Sequence, residues 1–83
     1  MWYVYLLRCA DNSLYAGITT CLERRVKEHN ECNAKGAKYT RCRRPVTLAY
    51  SEKQLDRQQA SRREYQLKQL SKTKKEQLVY LSK

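Results

Sequence analysis

The hydrophobic residues of the chain are clustered, and their spacing changes from that of strands to that of helices. Residues 2–8 are rich in aromatic and β-branched side chains, which predicts a strand. A turn-forming cluster at 10–13 separates this segment from a second predicted strand at 14–18, so the two form a β-hairpin. Asn12 tolerates the positive φ that a three-residue hairpin loop with a bulge requires. Because opposed residues in such a hairpin point the same way, four residues are predicted to share one face: Tyr5, Leu7, Tyr15 and Gly17.

The segment after the hairpin is predicted to be a helix. Thr20 and Glu23 fit a capping box, in which the two side chains satisfy backbone N–H groups of the first turn. Asn30 is expected to end the helix. The inward stripe, at positions i, i+3, i+4 and i+7, consists of Leu22, Arg25, Val26 and His29. A guanidinium and an imidazole are therefore expected to face the interior.

The middle of the chain predicts a loop and a third strand. Residues 31–44 lack periodicity and carry five of the basic residues, so they are predicted to form a basic loop. Pro45 fits the start of a strand, where its missing N–H does least harm. The alternation at 46–50 predicts that strand, which completes a small sheet with the hairpin.

The last third of the chain predicts two helices. Asp56 is expected to cap a helix over about residues 57–70. Thr73 and Glu76 form a second capping box, which opens a short terminal helix. The inward stripe of the longer helix consists of Ala60, Glu64, Leu67 and Ser71. The order β-β-α-β-α-α predicts an α+β fold, a small three-stranded antiparallel sheet flanked by helices.

Length and composition restrict the class of protein. The 83 residues are predicted to form a single domain over 1–83. The longest apolar run, residues 2–7, is too short to cross a membrane and lacks the flanks of a signal peptide, so we expect a cytoplasmic protein with no membrane partner. The four cysteines are Cys9, Cys21, Cys32 and Cys42. No two of them form a C-x-x-C pair, which favours free thiols over a zinc site.

The charge balance indicates the partner. Lys and Arg number 18 against 8 Asp and Glu, which gives a formal net charge of +10. The excess lies in the middle and C-terminal thirds of the chain. It favours a polyanion as the partner, and nucleic acid is the commonest one. The alternative is a charged surface that only keeps the protein in solution.

Several polar residues stand at positions that the pattern places on inward faces. Arg25, His29 and Glu64 interrupt otherwise apolar stripes, and Tyr5 and Tyr15 share a sheet face. Burying such groups costs on the order of a few kcal/mol unless they are paired or hydrogen-bonded. A structural Arg–Glu pair with hydrogen-bonded tyrosines is one explanation. The other is a phosphodiesterase site, which needs an activated oxygen nucleophile, a cation to offset phosphate charge and a carboxylate to hold a metal.

At these residues the sequence resembles the GIY-YIG endonuclease superfamily. Tyr3-Val4-Tyr5 and Tyr15-Ala16-Gly17 stand where the family has its two tripeptides. Tyr3 replaces the first glycine and Ala16 replaces the central isoleucine. The segment 17–30 is similar to the family's helix with its essential arginine, although many relatives have tyrosine where this chain has His29.

The resemblance continues over about residues 2–70. Arg62-Arg63-Glu64-Tyr65 resembles the segment that holds the family's metal-binding glutamate. Residues 36–40, followed by Arg44-Pro45, are similar to the small single-domain, stand-alone branch of the family.

The resemblance implies hydrolysis of a nucleic-acid phosphodiester with one divalent cation, Mg²⁺ or another such as Mn²⁺, as cofactor. Glu64 would hold the metal, and Arg25 would bind the scissile phosphate. Tyr5 or Tyr15 would orient or deprotonate the attacking water. His29 would hydrogen-bond a tyrosine or relay the proton.

The same resemblance implies a nucleic-acid surface around the site. Gly17 would let the phosphate backbone approach the sheet. The basic loop would follow that backbone through Lys35, Lys38, Tyr39, Arg41, Arg43 and Arg44. DNA is favoured over RNA as the partner, and a protein partner for targeting and the oligomeric state are left open. The alternative function is a non-catalytic nucleic-acid-binding protein on the same scaffold.

Overall fold

A three-stranded antiparallel sheet forms the centre of the fold in the computed structural model, which describes residues 1–82. The strands are β1 (Trp2–Arg8), β2 (Leu14–Thr19) and β3 (Thr47–Gln54), in the order β2-β1-β3. The helices are α1 (Leu22–Glu31), α2 (Lys38–Arg41), α3 (Arg57–Gln69) and α4 (Lys72–Leu81). The predicted α+β class and element order are confirmed, and the basic loop contains one additional turn of helix, α2. No helix in the described part of the chain has the length and apolar character needed to cross a bilayer.

The register of the hairpin follows the sequence prediction. Asn12 has a φ of 69°, in the left-handed region that the loop requires. Tyr5 is opposite Gly17, and Leu7 is opposite Tyr15. The prediction that these four residues share one face is therefore confirmed.

The two faces of the sheet carry separate hydrophobic clusters. The first cluster joins β1 and β2 to α3 and α4 and consists of Val4, Leu6, Leu14, Ala16, Ala60, Leu67 and Val79. The second consists of Tyr5, Leu7, Cys9 and Val46, with Tyr15 of β2 and with Leu22 and Val26 of α1 packed against it. Because neighbouring residues of a strand point to opposite faces, α1 and α3 cover opposite sides of the sheet.

The start of α1 differs from the prediction. The helix begins at Leu22, and the preceding Cys21 provides no side-chain cap. Thr19 Oγ1 instead accepts the Cys21 N–H at 3.1 Å, just before the helix. Thr20 accepts only a long hydrogen bond of 3.4 Å from the Arg24 guanidinium. The predicted capping box is therefore wrong, because the hydroxyl one residue earlier is the one that reaches the turn.

Asn30 does not end α1, as its side chain is used elsewhere. The helix continues past it. The Asn30 amide donates to Val46 O at 2.9 Å and accepts the Val46 N–H at 2.7 Å. These two bonds tie the residue before β3 to α1. The third strand itself runs from Thr47 to Gln54 and is longer than the predicted segment.

The caps of the last two helices confirm one prediction and correct another. Asp56 caps α3 as predicted, because its carboxylate accepts the Gln59 N–H at 2.9 Å. For α4 the cap is Ser71, whose hydroxyl accepts the Lys74 N–H at 3.3 Å. The predicted box at 73–76 is wrong because the chain already turns into the helix at Ser71.

The residue expected to close that second box fixes α4 to the sheet instead. The Glu76 carboxylate accepts from both terminal nitrogens of Arg8, with 2.6 Å between Nη2 and Oε1. Lys72 Nζ lies 2.6 Å from the same carboxylate. Hydrogen bonds from these cations lower the pKa of Glu76 to about 2.

Candidate functional site

Tyr5, on the central strand, forms the buried centre of the candidate site. It is 2% exposed. Its ring lies over Gly17 of β2, where an added Cβ would be 2.3 Å from Tyr5 Oη and 2.5 Å from Cζ. The glycine therefore provides the space that the phenol occupies. Burial raises the pKa of Tyr5, and the nearby Arg25 guanidinium offsets that shift only in part.

His29 reaches Tyr5 from α1. Its Nε2 lies 3.0 Å from Tyr5 Oη. Its Nδ1 lies 3.0 Å from Thr40 Oγ1 and 3.3 Å from the backbone nitrogen of Ala37. Burial, followed by the charge of Arg25, lowers the pKa of His29 to about 4. The imidazole is therefore neutral at physiological pH.

Tyr15 belongs to a stack of rings that ends in a cation. The Tyr15 and His29 rings meet edge to face, with 5.6 Å between their centroids. Tyr39 of α2 stacks on Tyr15 at 5.5 Å with an interplanar angle of 22°. The Arg43 guanidinium carbon lies 3.9 Å from the Tyr39 ring centroid, and Arg43 Nε is 2.9 Å from Asp11 Oδ2. The basic loop is thus held against the hairpin by stacking and an ion pair.

Arg25 and Glu64 bring opposite charges to the two phenols. The Arg25 charge lowers the pKa of both Tyr5 and Tyr15, whereas the Glu64 charge raises both. Burial is the largest cause and leaves both pKa values raised. Arg25 on α1 and Glu64 on α3 therefore both influence the two phenols electrostatically. That these four side chains form one catalytic site stays a prediction.

In the described residues 1–82, the Arg25 guanidinium and the Glu64 carboxylate do not form an ion pair with each other. Arg25 Nη1 donates to Glu28 Oε1 at 3.1 Å and to Lys35 O at 2.6 Å. The nearest cation to Glu64 is Lys68, at 3.8 Å, and the Glu64 side chain is 24% exposed. The structural Arg–Glu pair considered from the sequence is therefore not formed. Each group instead has an opposite charge on its own helix, Glu28 for Arg25 and Lys68 for Glu64.

Comparison with known proteins decides the family. The model of the GIY-YIG catalytic domain matches residues 1–77 of this chain. The chain belongs to the GIY-YIG family. The resemblance stated from the tripeptides and the helix is thereby confirmed.

The similar GIY-YIG relatives are small UPF0213 proteins. The chain is 58% identical over 81 residues to UPF0213 protein DP2720 of Desulfotalea psychrophila, covering 98% of this chain and 73% of the relative. It is 53% identical over 78 residues to UPF0213 protein YhbQ of Escherichia coli O8, covering 94% and 76%. The solution NMR structure of UPF0213 protein BH0048 from Bacillus halodurans is similar at 49% identity and a TM-score of 0.60, covering 98% and 85%.

The two GIY-YIG tripeptides of this chain lie side by side on β1 and β2. Tyr5 closes the first tripeptide, Gly17 closes the second, and the two residues are directly opposed in the ladder. The hairpin loop sets this register. The spacing of the tripeptides in the sequence is therefore the spacing that places the phenol over the glycine.

The predicted nucleic-acid contacts of the loop divide into two groups. Lys35, Lys38 and Arg41 are exposed. Arg43 holds the loop to the hairpin, and Arg44 Nε donates to a backbone carbonyl near the end of α1 at 2.7 Å. The first three are therefore free to meet a phosphate backbone, while the last two already hold the loop in place. A contact of any of them with nucleic acid stays a prediction.

The donor set of the site fits a single hard cation. In the described residues, no three His, Cys, Asp or Glu side chains lie close enough together to enclose a metal ion. Mg²⁺ keeps several waters and takes one or two carboxylates together with substrate phosphate oxygens, which a partly exposed Glu64 can supply. The cysteines are free, with Cys9 buried, Cys21 and Cys42 exposed and Cys32 in between.

Two residues of the site were missed from the sequence. Thr40 looked like part of a polar loop, yet it is fully buried against His29. Ala37 contributes only its backbone N–H, which a side-chain pattern does not reveal. The available signal was Gly36, where an added Cβ would lie 2.8 Å from Cys32 O. A glycine inside a loop points to such a close approach of two backbone segments.

Proposed function

We propose that this protein is a metal-dependent endonuclease that hydrolyses phosphodiester bonds of nucleic acid, and of DNA rather than RNA, within a single domain. The observation that supports it best is the buried hydrogen bond between Tyr5 and His29. The charges of Arg25 and Glu64 shift the pKa of the same Tyr5 phenol in opposite directions. A chain with a net charge of +10 is suited to a polyanionic substrate.

In this proposal, Arg25 binds the scissile phosphate. Arg25 Nη1 donates to Glu28 and to Lys35 O, and hydrogen bonding from the guanidinium also lowers the pKa of Tyr5. The remaining N–H groups of the planar guanidinium would donate to phosphate oxygens. The existing bonds hold the side chain in place before substrate arrives. Charge developing on the phosphate in the transition state is therefore met by a fixed cation.

The phenols position the attacking water. Burial raises the pKa of Tyr5 and Tyr15, so both are neutral hydroxyls in the resting protein. A neutral phenol orients a water molecule by hydrogen bonding, and the Arg25 charge favours loss of its proton when the water attacks. A divalent cation such as Mg²⁺ or Mn²⁺ on Glu64 would supply further positive charge to the phosphate.

The experiment is a cleavage assay on labelled nicked, flapped, junction and single-stranded DNA and RNA, with Mg²⁺, with Mn²⁺ and with chelator. Glu64→Gln and Arg25→Ala are each expected to lower the cleavage rate by about 10²–10³, the usual effect of removing one such electrostatic group. Glu31→Gln and Arg24→Ala are matched controls, because both residues are exposed on α1. Cleavage by Glu64→Gln and Arg25→Ala at the wild-type rate would show that the site is elsewhere.

The assay also separates the nuclease from a non-catalytic nucleic-acid-binding protein. Such a protein would bind the same substrates with an affinity that falls steeply as salt rises. It would give no metal-dependent cleavage on any substrate. Glu64→Gln would then leave binding unchanged or strengthen it, because the substitution removes a negative charge near the phosphate.

A further inference from the structure

We propose that the connection between α1 and α2 fixes His29 in one tautomer, with the proton on Nε2, so that His29 donates its hydrogen bond to Tyr5 Oη. Thr40 is then a positioning residue that acts through His29. The contacts of the two ring nitrogens determine the tautomer. Its consequence for catalysis rests on the proposed function.

The backbone N–H of Ala37 decides the state of Nδ1. It lies 3.3 Å from Nδ1 and meets the geometry of a hydrogen bond. A backbone N–H is only a donor. A proton on Nδ1 would point at the Ala37 hydrogen, so Nδ1 must be the acceptor. A neutral imidazole carries one proton, which therefore resides on Nε2.

The hydroxyl of Thr40 supports the same assignment. Thr40 Oγ1 lies 3.0 Å from His29 Nδ1 and 2.9 Å from Ala37 O, and its single hydrogen can serve one of them. Ala37 O already accepts the backbone N–H of Thr40 at 3.1 Å and that of Arg41 at 3.3 Å. The hydroxyl hydrogen, which lies within reach of Ala37 O, can therefore turn to Nδ1 without leaving that carbonyl unsatisfied. Because Thr40 is fully buried, no solvent competes for it.

Gly36 brings this segment close enough to the ring. An added Cβ there would lie 2.8 Å from Cys32 O and 2.9 Å from Glu28 O, both backbone atoms of the end of α1. The Gly36 N–H donates to Cys32 O at 2.9 Å. Only a residue without a side chain allows this approach, and the approach places the next N–H, that of Ala37, on His29.

The direction of the bond determines what Tyr5 can do. With Nε2 as donor, the Tyr5 oxygen accepts, and its own proton must go to an acceptor other than His29. Arg25 carries donors only. The Tyr5 proton is then available to a water or a substrate oxygen that reaches the buried phenol. A hydrogen bond from His29 also stabilises the phenolate if that proton is lost.

The test of the tautomer uses the full-length protein without substrate. His29 is the only histidine of the chain, so a long-range ¹H–¹⁵N correlation spectrum at neutral pH reports on this ring alone. The nitrogen shifts are expected to show Nε2 protonated and Nδ1 unprotonated in the wild type and in Thr40→Ser. A proton on Nδ1, or an average of the two tautomers, would overturn the proposal.

A second measurement tests Thr40. In Thr40→Val the methyl replaces the hydroxyl at nearly constant volume, and the Nδ1 resonance is expected to shift as that nitrogen loses a hydrogen bond. With the cleavage assay, kcat of Thr40→Val is expected to fall by about tenfold, the equivalent of one hydrogen bond. KM is expected to stay unchanged, and Thr40→Ser is expected to restore kcat.

The outcomes separate this proposal from the proposed function. Wild-type kcat in Thr40→Val, or an unchanged Nδ1 resonance, would show that Thr40 does not act through His29. The expected spectra from a wild-type protein that cleaves no substrate would leave the tautomer standing and refute the nuclease. If Thr40→Val does not fold, the spectra of the wild type and Thr40→Ser still decide the tautomer.

Discussion

Gly17→Ala is expected to destabilise the protein, because the new methyl group would occupy the space of the Tyr5 phenol. The added Cβ would lie 2.3 Å from Tyr5 Oη, whereas ordinary contacts of a Cβ are 3.4–4 Å, so the ring would have to move by about 1 Å. The ring is 2% exposed and hydrogen-bonded to His29. Overpacking of this kind costs about 1–3 kcal/mol, which lowers Tm by about 5–20 °C in a domain of this size.

The matched control is the same substitution in a Tyr5→Val background. The three atoms nearest to the new methyl all belong to the Tyr5 ring and are absent in that background. Glycine inside a strand is less favourable than alanine by about 0.5–1 kcal/mol. Gly17→Ala is therefore expected to be neutral or stabilising there. Thermal and urea denaturation of the four proteins gives the coupling energy as a double-mutant cycle.

The cycle gives a clear refutation. Equal destabilisation by Gly17→Ala in both backgrounds would show that the methyl meets something other than Tyr5. The same displacement is expected to slow cleavage, because a misplacement of about 1 Å can cost about 10²-fold in rate. A Gly17→Ala protein that is destabilised yet cleaves at the wild-type rate would show that the position of the phenol does not limit catalysis.

Two further predictions concern pH. The pKa of His29 is 6.5 in its ordinary state and about 4 in the folded protein. Between these values the unfolded chain binds the proton and the folded protein does not, so the free energy of unfolding is expected to fall as pH drops from 6.5 towards 4. An NMR titration midpoint near 6.5 would contradict this. The pKa of Glu76 is lowered from 4.5 to about 2 in the folded protein. Its ion pair with Arg8 therefore stabilises the fold above pH 4.5, and this contribution disappears as pH falls towards 2. Glu76→Gln should therefore destabilise the protein to urea at neutral pH and have little effect near pH 2, and equal effects at both pH values would argue against the ion pair.

The parts of the fold that could be predicted are those set by local periodicity. The hairpin register was predictable because Asn12 and a period of two determine which residues share a face. Most of the inward stripes of α1 and α3 was predictable for the same reason, and Ala60 and Leu67 are fully buried as expected. These features depend on neighbours within a few residues, which a sequence displays directly. Ser71 was wrongly placed on the α3 stripe, because α3 ends at Gln69 and Ser71 is exposed at the start of α4.

The caps of α1 and α4 could not be predicted as well as that of α3, because two hydroxyls lie close together at the start of each of these two helices. Thr19 and Thr20 are adjacent before α1, and Ser71 and Thr73 are close together at the start of α4. Which hydroxyl reaches a backbone N–H depends on the residue at which the preceding element stops. Thr19 is still paired in the sheet, opposite Tyr3, when it accepts from the turn. This pairing depends on tertiary structure, which the local sequence pattern does not show.

The pattern proposed the residues of the candidate site, but it could not give the contacts that they make. The pattern marked Arg25 and Glu64 as polar residues on apolar stripes, and both charges act on the tyrosines. The bond of Arg25 to Lys35 O and the contact of His29 with Thr40 join segments that are distant in sequence. Such contacts depend on the path of an irregular loop, for which no periodicity exists.

The chain has two glycines, and both lie where the Tyr5–His29 pair needs space. Gly17 lies beneath the phenol, and Gly36 lies against the backbone at the end of α1 from which His29 projects. Neither has a positive φ, so what matters at both positions is the missing Cβ and not an unusual backbone conformation. A basic chain that otherwise avoids glycine uses its only two to hold one hydrogen-bonded pair. The Tyr5–His29 pair therefore requires residues without a side chain at these two positions, and this requirement is separate from the charges around the pair.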